Sequence, residues 1–172
     1  MKDLFAFLKK VYFFRGLSDE DIRRIQEVCH QDSFAPGDVI FEEGSPPDRF
    51  YIIAEGSVEV WKNHGLPAAD LLAVHSRGHL FGEMALIDEL PRSATVVARE
   101  PTRLFYIDRD DFQRIIRAHS GIAVCILKSV SDMVRQSNEN FVEGLRARAR
   151  ELEQANQALR EAQLELLVKD RL

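Results

Sequence analysis

Residues 81–96 (FGEMALIDELPRSATV) hold one carboxylate and one guanidinium nine positions apart, with small side chains directly after the guanidinium. Arg92 is a permanently charged, forked donor of the kind that pairs with phosphate oxygens, and Glu83 is an acceptor suited to hydroxyl groups. The two side chains could therefore hold a small ligand that is both anionic and hydroxylated. The alternative is that both are ordinary solvated charges on a surface hairpin.

The segment between these charges is too short and too mixed in composition for a strand, and it predicts one or two helical turns over residues 83–87. Such a turn leaves free backbone N–H groups at its start, and those groups bind anions. Pro91 closes the segment, and the small residues Ser93 and Ala94 let a ligand approach the backbone closely. A phosphate and a hydroxyl held together beside an apolar wall indicate a nucleotide with a compact phosphate.

The elements that must position these residues fall into three regions. Residues 1–33 are predicted to be helical, with Ser18 as an N-cap and with Ile22, Ile25 and Val28 on one face. The middle region, 34–108, is rich in glycine and proline, and it contains six β-rich runs: DVIFEEG, RFYIIAEG, SVEVWKN, DLLAVHSRG, SATVVARE and TRLFYID. Short strands at this spacing predict an antiparallel sandwich or barrel. The chain is helical again from residue 109 to the end, which makes the predicted class α+β.

Composition limits the compartment and the number of domains. A chain of 172 residues with 45% hydrophobic and 30% charged residues has enough apolar side chains for a packed core of about one ordinary domain. Two widely spaced cysteines, Cys29 and Cys125, exclude a disulfide framework and favour the reducing cytoplasm. The apolar N-terminus is interrupted by Lys9 and Lys10, so it predicts a short amphipathic helix and not a signal peptide or a membrane span.

Charge and histidine placement argue against two classes of function. A net charge of −5 does not provide the basic surface that a nucleic-acid coat requires. The five histidines are scattered, and neither a Ser/His/Asp nor a Cys/His set is recognisable. The sequence therefore predicts no metal site and no enzyme active site.

The stretch FGEMALIDELPRSATV resembles the phosphate-binding cassette of the cyclic-nucleotide-binding domain family, with its F-G-E-x-A-L…P-R-[STA]-A pattern. The resemblance extends from about Leu17 to about Val134, through APGDVIFEEGSPPDRFYIIAEGSVEVW, which is similar to the family's strand-and-glycine framework. It implies a β-roll (a jelly-roll barrel) like that of the catabolite activator, with a lid helix after it, and a regulatory ligand that is cAMP or cGMP. One departure is Glu89, where many members have glycine, so the far end of the cassette is expected to differ slightly in shape.

The resemblance also implies a role for each cassette residue. Glu83 would accept the ribose 2′-hydroxyl, and Arg92 would pair with the cyclic phosphate. The position after the arginine holds Ser93, which lies between the patterns of cAMP and cGMP binders, and cAMP is favoured. The remaining implied contacts are Gly82 beside the ribose, Met84 in the same turn, the backbone N–H groups of Ala85 and Ala94 at the phosphate, Ser93 at the phosphate or base, Val60 and Leu72 as an apolar wall, and Met133 capping the base.

A heptad pattern follows the predicted lid. Leucines recur every seven residues and define the d positions of the heptad, which are Leu145, Leu152, Leu159 and Leu166. The a positions lie three residues before them, and they are Val142, Ala149, Asn156 and Gln163. An asparagine at a is typical of a parallel two-stranded coiled coil, and Arg148 and Glu153 fall at g and e. The sequence therefore predicts a binding domain over 1–136 and a homodimeric stalk over 137–172. The alternative is that the apolar stripe packs back on the domain.

Several functional alternatives remain open at this level. A transcription regulator of the catabolite-activator type would need a helix-turn-helix after the long helix, and no such segment follows. A ligand-independent dimerisation module and a module of a channel or kinase are also compatible with the pattern. The heptads run to the end of the sequence, as in linker helices before output domains of bacterial signalling proteins. The chain is therefore expected to be either a truncated sensory fragment, with its output domain outside this chain, or a short regulatory subunit.

Overall fold

The computed structural model describes residues 2–84 and 88–169, with the side chains of 2–3 and 167–169 left aside. The chain divides into two compact units, Met1–Ser129 and Val130–Leu172. The boundary predicted from sequence, at 136/137, lies further along the same helix.

The N-terminal helices are shorter than the sequence predicts. They are α1 (Lys2–Lys10), a 3-10 turn (Tyr12–Phe14) and α2 (Asp19–Glu27). Ser18 caps α2 as predicted, because its hydroxyl accepts the N–H of Asp21 at 3.2 Å. The prediction of helix up to residue 33 is wrong from Cys29 onward, since Cys29–Phe34 forms a strand. This strand is mostly exposed and polar, so its pairing partner, and not its own pattern of side chains, decides its conformation.

In the described part of the chain, eight strands build two four-stranded antiparallel sheets. The strands are β1 (Cys29–Phe34), β2 (Val39–Phe41), β3 (Arg49–Glu55), β4 (Ser57–Lys62), β5 (Asp70–Ser76), β6 (Leu80–Phe81), β7 (Thr95–Ala98) and β8 (Thr102–Asp108). Their orders are β1-β8-β3-β6 and β2-β7-β4-β5. All six predicted runs contain a strand, and the predicted antiparallel β-roll is confirmed. The strands that sequence reasoning missed are β1 and the two-residue β6.

The core between the sheets includes the first and the last residue of the cassette, Phe81 and Val96. It contains the buried side chains of Tyr51, Ile53, Val58, Phe81, Val96 and Leu104. The rings of Tyr51 and Phe81 stack with centroids 5.2 Å apart. Burying side chains of this size contributes about 1.5–3 kcal/mol each. Because Phe81 directly precedes Gly82, this packing anchors the start of the cassette to β3.

The described residues after the sheets form the helices α3 (Arg109–Ala118) and α4 (Ser120–Lys169). Phe112 of α3 is fully buried and meets the ring of Phe50 edge-on at 5.0 Å. In the second unit, the four heptad leucines are 51–65% exposed in the single chain. No helix in the described part of the chain combines the length and the apolarity that crossing a bilayer requires.

Candidate functional site

A cavity of about 260 Å³ lies between the cassette and the strands of the first unit. Its volume is just below the ~300 Å³ at which typical small-molecule sites begin, so a ligand that fits must be compact. Its walls combine an apolar side and a polar side. The lining residues are Phe41, Pro47, Val60, His75, Phe81, Gly82, Glu83, Met84, Asp88, Leu90, Pro91, Arg92, Ser93, Ala94 and Val96.

Arg92 is buried at the wall of this cavity, with only 6% of its surface exposed. Its Nη1 donates to the carbonyl oxygen of Gly82 at 3.2 Å, and its Nη2 donates to the carbonyl oxygen of Arg49. The guanidinium also lies 4.2 Å from the ring centroid of Phe41. These neutral groups hold the guanidinium in one orientation without neutralising it.

The charge of Arg92 is only weakly compensated by the protein. The nearest carboxylate is that of Asp48, which is exposed and 3.4 Å away from Nη2, a long distance for a charge-assisted bond. Within the described residues, the buried Nε–H of Arg92 has no acceptor. Burial accordingly lowers the pKa of Arg92, the direction expected for a cation removed from water. The site therefore holds an oriented cation with donor capacity to spare, which is what an anionic ligand requires.

Gly82 is required by the position of Arg92. Its φ is +73°, and a Cβ atom placed on it would lie 2.8 Å from Nη1 of Arg92. The resemblance assigns this glycine to the space beside a ribose. The structure adds that any side chain here would strain the backbone and displace the guanidinium.

Glu83 lines the same cavity on the polar side. Burial raises the pKa of its carboxyl, and the positive charge of Arg92 acts in the opposite direction. A carboxylate that has lost much of its water gains from accepting hydroxyl protons of a ligand. Arg92 and Glu83 therefore supply a donor for an anion and an acceptor for a hydroxyl in one cavity.

The structure brings most of the predicted site residues together. Gly82, Glu83, Met84, Arg92, Ser93, Ala94 and Val60 all line the cavity. Ala85 lies outside the described residues. Met133 belongs to α4 in the second unit, so its contact with a base stays a prediction.

Leu72 is not brought to the cavity. It is 57% exposed, and the lining residue that β5 contributes is His75. The ladder between β4 and β5 shifts register between Val60 and Trp61, so that Ala73 lies opposite Val60 and His75 lies opposite Val58. A one-residue shift moves a side chain to the other face of a sheet. The sequence does show the two-residue alternation that places Ala73 and His75 on one face of β5. It contains no residue pattern that predicts the bulge.

The far end of the cassette holds Glu89, the departure from the family pattern noted in the sequence. Glu89 stands where many members have glycine, and its φ is not positive, since Asn63 is the single non-glycine residue with positive φ in the described chain. Its carboxylate accepts a hydrogen bond from Arg109 at 2.9 Å. This ion pair is exposed and contributes little stability.

One cluster outside the cavity has the composition of a metal site. Among the described residues, His30, Asp108 and Asp111 bring one imidazole and two carboxylates within 4.8 Å of one another. The carboxylate of Asp108 lies 3.5 Å from Nε of Arg49, and Asp111 pairs with Arg114. Both carboxylates thus already have cationic partners, and both stand at the start of α3, where acidic residues favour the helix dipole.

Comparison with known proteins decides the family. The profile described as "Cyclic nucleotide-binding domain" matches residues 31–119, more than half of the chain. The chain belongs to the cyclic-nucleotide-binding domain family. The segment matched includes every predicted site residue except Met133, and the family assigns the domain a regulatory role, not a catalytic one.

Three relatives show how far the likeness extends. The chain is 33% identical over 134 residues to the cAMP-dependent protein kinase regulatory subunit of Debaryomyces hansenii, covering 78% of this chain and 28% of that protein. It is 35% identical over 113 residues to cGMP-dependent protein kinase, isozyme 1, of Drosophila melanogaster, covering 64% of this chain and 15% of that protein. The regulatory domain of Toxoplasma gondii PKA, crystallised with cAMP, superposes with a TM-score of 0.66 at 27% identity, covering 76% of this chain and 49% of the other. The chain thus spans less than a third of the curated relatives' length.

Proposed function

We propose that this chain binds cAMP in preference to cGMP and transmits occupancy through α4 to a parallel dimeric coiled coil, as the sensory part of a larger signalling protein. The observation that carries the binding proposal is the buried, oriented and incompletely paired guanidinium of Arg92 in a cavity shared with Glu83. A cyclic phosphate would supply the missing acceptor, and a ribose 2′-hydroxyl would supply a donor for the carboxylate.

Two observations support a cyclic purine nucleotide, and cAMP as the favoured one. Apolar side chains of Val60, Phe81 and Val96 line the cavity beside the charged pair, as a flat base requires. A cAMP-dependent regulatory subunit and a cAMP-bound regulatory domain are among its relatives. Because another relative is a cGMP-dependent kinase, cGMP is the alternative ligand to be tested.

Cys29 and Cys125 are free thiols, which fits the cytoplasm as the compartment.

Calorimetric titration with cAMP, cGMP and 5′-AMP tests the proposal. Both cyclic nucleotides should give saturable binding, with cAMP the tighter, and 5′-AMP should bind more weakly because its open phosphate is larger and more strongly hydrated. Absence of saturable heat with either cyclic nucleotide would leave the ligand-independent dimerisation module as the better account.

Replacing Glu83 with glutamine should weaken cAMP binding by about 1–2 kcal/mol, roughly fivefold to thirtyfold. The loss is moderate, because the amide oxygen still accepts a hydrogen bond but carries no charge. Titration with 2′-deoxy-cAMP is the matched control: wild type should lose more affinity with this ligand than Glu83→Gln does, because the hydrogen bond that the amide oxygen still accepts from the 2′-hydroxyl is weaker than the one the carboxylate accepts. Equal additional losses in both proteins would show that Glu83 does not contact the 2′-hydroxyl.

Replacing Gly82 with alanine should lower both stability and affinity. The positive φ costs about 1–2 kcal/mol with a side chain, and the added methyl group displaces Arg92 from its carbonyl partners. Gly65→Ala is the control, because its φ is +78° but a Cβ atom there meets nothing within 4 Å. Thermal unfolding should show both variants destabilised, whereas titration should show about tenfold or greater loss of affinity in Gly82→Ala alone.

Transmission through α4 is supported by its continuity. It runs without a break from Ser120 to Lys169, and its heptad leucines are exposed in the single chain. Ligand binding can shift the state of the stalk only by as much as it favours one state of the first unit. Hydrogen exchange of residues 137–166 with and without cAMP tests this coupling, and identical exchange in both states would contradict it.

A further inference from the structure

Two histidines form a stacked pair at the wall of the cavity. The imidazole rings of His75 and His79 have centroids 3.8 Å apart and planes inclined by 7°. His75 lies on β5 and lines the cavity, and His79 lies in the turn that leads to β6. His75 pairs directly with the fully buried Val58 of β4, and directly opposed residues place their side chains on the same face of a sheet. Its imidazole therefore belongs to the interior face of the β-roll.

We infer that His75 is a ligand-contacting residue of this site and that its imidazole takes up a proton when the anionic ligand binds. The inference rests on the proposed function, since it assumes a cyclic nucleotide in this cavity. It assigns to β5 a polar contact where sequence reasoning expected the apolar side chain of Leu72.

Before a ligand binds, the pair is uncharged near neutral pH. Burial and, after it, the neighbouring His79 lower the pKa of His75 to about 4, and burial also lowers the pKa of His79. Two parallel imidazoles at this distance repel each other if both are cationic, so at most one carries a proton at moderate pH. Arg92 is then the cation that the described lining residues contribute.

A bound cyclic phosphate opposes the preference of the histidine pair for its uncharged form. Its negative charge in the same cavity favours the protonated imidazole and raises the pKa of the pair above its value in the free protein. The complex then binds more protons than the free protein does. Affinity must therefore rise as pH falls from the pKa of the complex toward about 4, by at most tenfold per pH unit for one proton.

Other charged groups lie in or near the cavity, and their contributions to the pH dependence of affinity have to be distinguished from that of His75. Glu83 and Asp88 line the cavity with Arg92. Glu59 of β4 points away from it and pairs with Arg99, and Arg49 of β3 pairs with Asp48 and Asp108. Tyr51 of β3 has a raised pKa through burial and stays neutral in this range. Glu83 is the group that titrates nearby, because burial raises its pKa, so the contribution of His75 has to be measured with Glu83 left intact.

Calorimetry of cAMP binding in buffers of different ionisation enthalpy counts the protons taken up. Wild type at about pH 6 should take up a measurable fraction of one proton, and its affinity should increase between about pH 7.5 and 5.5. His75→Leu and His75→Gln should both reduce the uptake and flatten the affinity profile. His64→Gln is the control, since His64 is exposed beside Trp61 and does not line the cavity, and it should behave as wild type does.

A measurement on wild type alone guards against misfolded variants. The imidazole resonances of His75 should titrate well below the ordinary range in the free protein and shift upward with cAMP. Binding of cAMP with no proton uptake, or with uptake unchanged in both His75 variants, would overturn this inference and leave the proposed function standing. No binding of cAMP to wild type would overturn both.

Discussion

Replacing Arg92 with alanine is expected to weaken cAMP binding by about 2–5 kcal/mol, roughly thirtyfold to a few thousandfold. Each charge-assisted hydrogen bond from the guanidinium to a phosphate oxygen contributes about 1.5–3 kcal/mol, and without it the phosphate stays partly buried beside an apolar wall. The effect is large because Arg92 is already oriented by the carbonyl oxygens of Gly82 and Arg49, so little order is lost on binding.

Two further variants make this test specific. Arg92→Lys keeps the charge but loses the planar fork, and should fall between wild type and Arg92→Ala. Arg99→Ala removes an exposed arginine whose nearest carboxylate, that of Glu59, is 3.8 Å away, and should bind as wild type does. Titration calorimetry and ligand-induced shifts in unfolding temperature provide the measurements. Affinity of Arg92→Ala within about threefold of wild type would remove the phosphate contact from this account.

Replacing Leu152 and Leu159 together with aspartate is expected to convert the proposed coiled-coil dimer into a monomer. Both leucines are more than half exposed in the single chain and occupy d positions of the heptad. Burying a leucine contributes about 1.5–3 kcal/mol, and four such side chains per dimer contribute at least ~6 kcal/mol before the cost of burying carboxylates is added. The dissociation constant should therefore rise by about four orders of magnitude or more.

Sedimentation equilibrium of the full chain measures this change. The control is Ala147→Asp with Gln154→Asp, which adds the same charge at f positions that face away from the seam, and it should remain dimeric. Circular dichroism should show the control fully helical and the leucine variant less so, because a helix without a partner lacks the packing of its apolar face that supplies most helical stability. A wild-type chain that is monomeric at tens of micromolar would contradict the coiled coil.

The strands could be predicted from local pattern to the extent that their own side chains carry one. RFYIIAE and TRLFYID are apolar and β-branched enough to be recognised, and both form seven-residue strands in the first sheet. CHQDSF has no such pattern and lies in the region predicted to be helical, yet all six of its residues pair with β8. Its conformation comes from the partner strand, whose position depends on the whole fold.

The site shows the same division. Arg92 and Glu83 were predicted from their chemistry and spacing, and both line the cavity. The groups that orient Arg92 were not predicted, because they are backbone carbonyl oxygens and a ring, and any residue has a carbonyl. His75 lines the cavity in place of Leu72 because of a bulge in the β4–β5 ladder, and no residue type in these strands predicts that bulge.

The sequence by itself determined which chemical groups are available: a fork-shaped cation, a carboxylate, a glycine between strand and turn, and a heptad stripe. These are properties of residue types and their intervals, and they are present before the chain folds. Only the tertiary structure decided that the cation is buried with a donor to spare, that a stacked histidine pair borders the same cavity, and that Gly82 makes room for a guanidinium. Arg92 is oriented by the carbonyl oxygen of Arg49, 43 residues away, and His75 reaches the cavity through the register of β5 against β4. Gly82 and Arg92 are ten residues apart and meet because the folded chain brings them together. Local sequence does not encode such distances.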